Sequence, residues 1–201
     1  MKKSKRQANL KRVTKETQIE VRLDLDGAGR SQIQTEIPFL SHMLDLLSKH
    51  GNFDLKVKAK GDTEIDIHHL NEDIGIALGS AFKKALGAKL GIQRYGFFYL
   101  PMDRSLARVV LDISNRPSFV FNIAKGEKVL KSPSYQLHDA LHFLESLSFH
   151  LGLTLQVDVL RGGDFHHVVE AIFKAFARAL SMAVSINPRA PKSLPSTKGM
   201  L

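Results

Sequence analysis

The stretch Asp66–Ile74, which reads DIHHLNEDI, occurs again 98 residues later as Asp164–Ile172, which reads DFHHVVEAI. Both copies contain an aspartate, an apolar residue, a pair of histidines, and a glutamate three residues after the second histidine. A pattern that recurs at a fixed offset indicates an internal repeat. We therefore infer a gene duplication that produced two half-domains.

The surroundings of the two copies support the duplication. A single histidine precedes each one: His42 lies 26 residues before His68, and His142 lies 24 residues before His166. Hydrophobic periodicity then predicts the same order of elements around each motif, strand, strand, helix, strand, helix. The expected strands are 17–26, 31–37, 53–60, 106–113, 118–123 and 153–160, and the expected helices are 38–50, 69–86, 135–151 and 166–185.

This order predicts an α+β fold of duplicated β-β-α-β-α half-domains, in which the sheets pack against helices. The Gly27-Ala28-Gly29 turn is expected to join the first two strands in a hairpin, and residues 95–100 to form an extra strand. The expected boundaries are a basic flexible leader at 1–12, half-domains at 13–93 and 94–187, and a C-terminal tail at 188–201.

The composition excludes several classes of protein. The 201 residues include no cysteine, which excludes a disulfide scaffold, a thiolate zinc site and a cysteine nucleophile. No apolar run approaches the roughly 20 residues that a membrane-spanning helix needs, and the basic start precedes no hydrophobic segment of the signal-peptide type. We expect a soluble, cytoplasmic protein.

The formal net charge of +9 comes from the two ends of the chain. Residues 1–12 hold six Lys/Arg and residues 189–201 hold three, which leaves 20 basic residues in the body against all 20 acidic ones. A charged end is more often a solvated segment than a binding arm. Nucleic-acid binding through these ends therefore stays a minor alternative, and no membrane partner is expected.

The repeated motif has the composition of a metal site. Adjacent helical residues point about 100° apart, so His68 and His69 are expected to serve different ions, while Glu72 shares the face of His68. The two repeats together offer six histidines and two glutamates, which divide into two sites of three histidines and one glutamate. Imidazole and carboxylate donors without thiolate suit Mn, Fe, Co or Zn. Open positions on such an ion allow catalysis.

A simpler interpretation is that Asp66 and Asp164 cap the two helices and that the histidines are solvated. That interpretation does not explain the paired upstream histidines. The other histidines, His50, His138 and His150, follow no such pattern and are expected at the surface or at helix ends.

Several longer stretches resemble one enzyme family. They are PFLSHML at 38–44, DIHHLNEDIGIALG at 66–79, LPMDRSLARVVLDISNRP at 100–117, DFHHVVEAIFKAFARAL at 164–180 and PSTKGML at 195–201. Together with RVTKET at 12–17, they resemble imidazoleglycerol-phosphate dehydratases, the hydro-lyases of histidine biosynthesis. The similarity covers residues 12–201.

This resemblance implies a fold, an assembly and a metal centre. The half-domains would be related to domain 2 of ribosomal protein S5, and the chain would form a homo-24-mer with two Mn²⁺ per active site at subunit interfaces. The implied ligands are His42, His69, His166 and Glu170 for one ion, and His68, Glu72, His142 and His167 for the other. Each set would draw on adjacent subunits.

The resemblance also implies the reaction, which is dehydration of D-erythro-imidazoleglycerol phosphate to imidazole acetol phosphate. Glu16 would be the acid/base group that moves protons. Arg94, Arg116, Ser196 and Lys198 would bind the substrate phosphate, with the C-terminal tail closing over the substrate.

Some positions depart from the family pattern. They are Ser41, Leu46, Ile67, Leu70-Asn71, Gln156 and Gly163-Asp164. None of them is an implied metal ligand, but Leu46 and Gly163 stand where polar or cationic contacts to phosphate are expected, and the family pattern has a lysine in place of Gly163. Ser41 and Ile67 stand beside the implied ligands, where they would affect how the imidazoles are oriented. A divergent paralogue that holds the metal but has lost or changed its substrate is therefore the main alternative to an active dehydratase.

Overall fold

A computed structural model describes residues 6–201, so the start of the expected leader, residues 1–5, lies outside the described residues. The strands are β1 (Gln7–Val13), β2 (Thr17–Asp24), β3 (Ser31–Gln34), β4 (Asp54–Gly61), β5 (Tyr95–Met102), β6 (Ser105–Asp112), β7 (Ser118–Ile123) and β8 (Thr154–Arg161). The helices are α1 (Pro38–Gly51), α2 (His68–Leu86), α3 (Leu137–Leu151) and α4 (Phe165–Val184).

The two halves of the chain have the same topology. Each half contains a four-stranded sheet, ordered β1-β2-β4-β3 in the first half and β5-β6-β8-β7 in the second. In each half, the strand that precedes the first helix pairs in parallel with the strand that follows it: β3 with β4, and β7 with β8. The helix between them, α1 or α3, is therefore a crossover connection. The predicted α+β fold with duplicated β-β-α-β-α units is confirmed, and one further strand precedes the unit in each half.

The pairing of β2 and β3 differs from the predicted hairpin. β2 pairs with β1 and β4, while β3 lies in parallel on the far side of β4. The connection between them is held by Asp54, whose Oδ1 accepts hydrogen bonds from the backbone N–H groups of Ala28 (2.8 Å) and Arg30 (3.1 Å). The turn at Gly27–Arg30 therefore carries the chain past the end of β4 instead of reversing it onto β2.

The expected leader is also corrected by the structure. Residues 7–12 form most of β1 at the edge of the first sheet, with Ala8 buried. Lys11 pairs with Glu20 at 3.3 Å, and Arg12 pairs with Asp73 at 2.7 Å. The basic residues of this segment therefore lie on a sheet and not in a flexible extension.

The two halves meet through helices α2 and α3. A Cβ atom on Gly79 of α2 would lie 2.3 Å from the carbonyl oxygen of Leu147, and one on Gly75 would lie 2.8 Å from that of Phe143. Because both positions are glycine, the two helix backbones come close together. This contact places the first histidine motif beside α3.

No helix within residues 6–201 has the length and apolarity needed to cross a membrane.

Candidate metal centre

Both histidine motifs lie at the beginning of a helix. The carboxylate of Asp66 accepts a 2.7 Å hydrogen bond from the backbone N–H of His68, and that of Asp164 accepts one of 3.1 Å from His167. Asp164 is therefore the N-cap of α4, as considered from the sequence, whereas the N-cap position of α2 is Ile67 and Asp66 bonds the helix from one residue earlier. These hydrogen bonds leave the imidazole rings free for other contacts, because each aspartate bonds only the backbone.

One group of donors combines α1 and α4. Its members are His42, His166 and Glu170, and we call it the α1–α4 group. Oε2 of Glu170 lies 3.0 Å from Nε2 of His166 and 3.5 Å from Nε2 of His42. The three donor atoms thus converge on one point, as metal ligands do.

Glu170 is held in its charged form. Burial raises the pKa of this carboxyl, but the hydrogen bond and charge of Lys174, together with hydrogen bonds from His166 and His42, outweigh burial and leave the pKa below its ordinary value. Lys174 stands one helical turn after Glu170 and pairs with its other oxygen, Oε1. Oε2 therefore remains available as an anionic donor.

A second group of donors combines α2 and α3. Its members are His68, Glu72 and His142, and we call it the α2–α3 group. The rings of His68 and His142 stack with centroids 4.5 Å apart, and Glu72 lies 3.9 Å from Nε2 of His68. Nδ1 of His142 is buried and has no hydrogen-bond partner within residues 6–201. A buried imidazole nitrogen without a partner fits a metal ligand.

The remaining two motif histidines lie outside both groups. Nδ1 of His69 lies 3.1 Å from Asp62 and 3.9 Å from Glu16, with which it forms a third cluster of possible donors. Nδ1 of His167 lies 3.3 Å from Asp103. The hydrogen bond to Asp62, with the charge of Glu16, raises the pKa of His69 above its ordinary value. Glu16, the expected catalytic residue, therefore lies beside His69 and not beside either group.

The residues expected to bind phosphate come together at the C-terminal tail. A cavity of about 290 Å³ is lined by Arg94, Arg116, Ser196, Thr197, Lys198, Met200 and Leu201. The guanidinium of Arg94 donates to both oxygens of Asp112, at 2.7 and 3.0 Å, and to the carbonyl oxygen of Pro195 at 2.8 Å. Arg94 thus also attaches the tail, and it keeps two further N–H groups for the cavity.

Several residues around these groups were not anticipated from the sequence. Asp62 and Asp103 lie between secondary-structure elements, Asp112 lies on β6, and no local pattern marks the residues that they contact. Lys174 could have been noticed, because it stands four residues after Glu170 on the same helix. His138, expected at the surface or a helix end, stacks on the ring of His142 with centroids 6.1 Å apart.

The positions that depart from the family pattern have their own contacts. The hydroxyl of Ser41 lies 2.8 Å from that of Thr35, and Leu46 packs against the core. Gly163 has a backbone φ of +128°, a conformation that favours glycine. Its N–H donates to the carbonyl oxygen of Lys128 at 2.8 Å, and its own carbonyl accepts from Leu130 at 2.9 Å. This loop is therefore fixed by its backbone.

Comparison with known proteins identifies the family. The family model described as imidazoleglycerol-phosphate dehydratase matches residues 35–180. This chain belongs to the imidazoleglycerol-phosphate dehydratase family. The expected family and the expected enzyme class, hydro-lyase, are thereby confirmed.

Members of the imidazoleglycerol-phosphate dehydratase family are similar to this chain over nearly its whole length. Proteins of that name from Prochlorococcus marinus strain AS9601 and Geobacillus kaustophilus strain HTA426 are 50% and 51% identical, each over 98% of this chain. The alignments cover 98% and 99% of those relatives. The similarity therefore extends over nearly the full length of those two relatives.

Solved structures of the same family share the fold. The enzyme from Staphylococcus aureus aligns with a TM-score of 0.79 and 36% identity, over 90% of this chain and 99% of that one. The one from Pyrococcus furiosus aligns with a TM-score of 0.80 and 34% identity, over 96% and 100%. The duplicated architecture is therefore that of the family.

Proposed function

We propose that this chain catalyses the metal-dependent dehydration of D-erythro-imidazoleglycerol phosphate to imidazole acetol phosphate, a step of histidine biosynthesis, in the cytoplasm. The observation that carries the proposal is the convergence of six of the eight expected ligands into two donor groups, each with two histidines and one glutamate. Because the chain belongs to the dehydratase family, we assign the dehydration reaction to the site that these two groups form. The proposed occupants are two Mn²⁺ ions per active site, for which Fe, Co or Zn could substitute.

The donor groups fit divalent ions. Each offers two imidazoles and one carboxylate, Glu170 is held anionic, and Nδ1 of His142 is a buried nitrogen that needs a partner. Bound there, the ions would supply Lewis acidity that polarises the imidazole ring of the substrate.

The geometry of one chain also supports assembly. Each group holds three donors, while His69 and His167 lie apart from both, so we propose that they complete groups on adjacent copies in a homo-24-mer. The outer face of β5 is suited to such contacts. Tyr95, Phe97 and Tyr99 alternate along it and are 51–56% exposed. An exposed aromatic stripe of this kind is typical of an interface between proteins.

The reaction breaks the C–O bond on the carbon beside the imidazole ring and the C–H bond one carbon further on, and it releases one water; the enol that remains takes up a proton on the carbon beside the ring and becomes the ketone. In our proposal, the carboxylate of Glu16 accepts the proton from carbon and returns a proton to the departing hydroxyl. Glu16 is 54% exposed on the β1–β2 turn, beside His69, so it would reach a substrate bound at the ion that His69 completes.

The phosphate would bind in the cavity at the C-terminal tail. Arg116 and Lys198 carry the charge, Ser196 adds a hydroxyl donor, and Arg94 contributes its remaining N–H groups. The backbone N–H of Lys198 donates to the hydroxyl oxygen of Ser196 at 3.2 Å, which gives the tail a fixed turn at this place. We propose that the tail closes over the substrate in this arrangement.

Turnover of imidazoleglycerol phosphate by the Mn²⁺-loaded protein tests the proposal. The matched variants are Glu16→Gln and Glu20→Gln, because Glu20 lies on the same sheet and pairs only with Lys11 in the described chain. We expect turnover by the wild type and by Glu20→Gln, and its loss in Glu16→Gln. A wild-type chain that holds two Mn²⁺ and does not turn over this substrate would contradict the proposal and favour the divergent paralogue.

A further inference from the structure

The two motif histidines that lie apart from the donor groups share one feature. Nδ1 of His69 faces Asp62 at 3.1 Å, and Nδ1 of His167 faces Asp103 at 3.3 Å. The two histidines occupy the same position in the two repeats, 98 residues apart. In each repeat, therefore, a carboxylate contacts the same nitrogen of the equivalent ring.

The surroundings of Asp62 indicate which nitrogen of His69 carries the proton. Its other oxygen, Oδ1, is buried and has no hydrogen-bond partner within residues 6–201. A partly buried carboxylate needs donors, and the N–H at Nδ1 of His69 provides one. With the proton on Nδ1, Nε2 of His69 has a free lone pair on the side of the ring away from Asp62.

Asp103 is placed by the fold in a comparable way. It lies in the turn between β5 and β6 with a φ of +49°, and this turn is the counterpart of the β1–β2 turn that carries Glu16. The duplicated hairpins thus each bring a carboxylate to the second histidine of the adjacent motif. Asp62 adds a second carboxylate in the first half.

We infer that Asp62 and Asp103 are positioning residues, which orient His69 and His167 so that Nε2 of each ring faces a metal ion on an adjacent copy of the chain. This inference rests on the proposed function. A carboxylate that accepts the second ring N–H of a ligating histidine fixes its orientation and raises its basicity, and its loss weakens metal binding by about 10–100-fold. The two residues act on different ions, because the ligand sets implied by the family resemblance place His69 and His167 on different ions.

The test is calorimetric titration of the full-length protein with MnCl₂, together with the electron paramagnetic resonance spectrum of bound Mn²⁺. The variants are Asp62→Ala, Asp62→Asn, Asp103→Ala and Asp103→Asn. We expect each alanine variant to bind one of the two ions about 10–100-fold more weakly, with the asparagine variant in between, because an amide oxygen still accepts the N–H but carries no charge. The double alanine variant should lose affinity for both ions.

Asp66→Asn and Asp164→Asn are the matched controls, because these aspartates bond the backbone of the same motifs and asparagine caps a helix about as well. Their Mn²⁺ affinities should remain within about twofold of the wild type. Folded alanine variants that bind both ions with wild-type affinity would overturn the inference, as would equal losses in the controls. A wild type that binds no Mn²⁺ would overturn the metal dependence of the proposed function, and the inference with it.

Discussion

The hydroxyl of Tyr135 donates a 2.8 Å hydrogen bond to Oδ1 of Asn71, and both residues are only 1% exposed. Asn71 in turn donates to the carbonyl oxygen of Asp139 at 2.8 Å. Burial raises the pKa of Tyr135, so its hydroxyl stays a donor throughout the physiological range. This polar pair joins α2 to the beginning of α3, and Asn71 is one of the positions where the chain departs from the family pattern.

Tyr135→Phe should destabilise the protein by about 1–3 kcal/mol, because it leaves a buried amide oxygen without a donor. The double variant Tyr135→Phe/Asn71→Val should lose less than the sum of the two single variants, since it removes both polar partners together. Urea unfolding monitored by circular dichroism measures these differences. Additive losses would show that the two side chains are not coupled.

Gly79→Ala should weaken both the fold and the α2–α3 group. The added Cβ would lie 2.3 Å from the carbonyl oxygen of Leu147, so α2 and α3 must separate, at a cost of about 1–3 kcal/mol. Separation of these helices moves His68 and Glu72 away from His142. We expect weaker Mn²⁺ binding at one of two ions, measured by titration. Ser80→Ala, at the next position on α2, is the control and should bind both ions normally.

Arg116→Ala should raise the KM for the phosphorylated substrate. Arg116 lines the cavity at the tail and, within residues 6–201, has no carboxylate within 4.0 Å, so its charge is available to an anion. Loss of a charged hydrogen bond of about 1.5–3 kcal/mol corresponds to a KM roughly 10–100-fold higher. Steady-state kinetics measure this, with Arg161→Ala as the control, since Arg161 pairs with Glu127 on the surface. An unchanged KM would place the phosphate elsewhere.

Asp54→Asn should reduce stability more at neutral pH than in acid. The hydrogen bond from Arg30, with those from the backbone of Ala28 and Arg30, holds the pKa of Asp54 well below its ordinary value. A carboxyl with a lowered pKa stabilises the fold above its unfolded-state pKa of about 3.9, and that contribution disappears as the pH falls through the folded-state value.

The measurement for Asp54 is the urea midpoint of both proteins from pH 7 to pH 2. The wild type should have the higher midpoint at pH 7, and the difference between the two midpoints should become smaller as the pH falls from about 4 to 2. A difference that stays constant over the whole range would mean that the charge of Asp54 is not responsible.

Removal of metal should reduce the size of the assembly. If His69 and His167 bind ions held by adjacent copies, metal binding and association are linked, and chelation shifts the protein towards smaller species. Analytical ultracentrifugation before and after exhaustive chelation measures this, with re-addition of Mn²⁺ as the control. An unchanged sedimentation coefficient would contradict ion sites between copies.

Much of the fold could be predicted from periodicity. The strand at 118–123 has the predicted bounds, and α2 begins one residue before its predicted start. Strand β1 was missed because the charged residues Lys11 and Arg12 obscure the alternation around Ala8. The pairing of β3 with β4 was missed because the partner of a strand depends on a crossover helix and on the contacts of Asp54, which lies 23 residues after the start of β3.

The contacts of the site could be predicted from the sequence only where the contacting residues lie on the same helix. The spacing of His68 and Glu72 indicates a shared helical face, and the structure places these side chains next to one another. The contacts of Asp62 and Asp103 depend on where two turns come to lie, which periodicity does not encode. The second function of Arg94, attachment of the tail through Pro195, arises from a contact between residues 101 positions apart.

The backbone of Gly163 also has an evolutionary consequence. A lysine, as in the family pattern, would be strained at a φ of +128°, and both backbone groups of Gly163 are bonded to the neighbouring segment. A lysine at this position would first require a second mutation that lets the backbone of this loop adopt a different conformation. A single Gly163→Lys mutation would therefore leave the backbone strained. If a cation near the phosphate is regained, we expect it at a different residue.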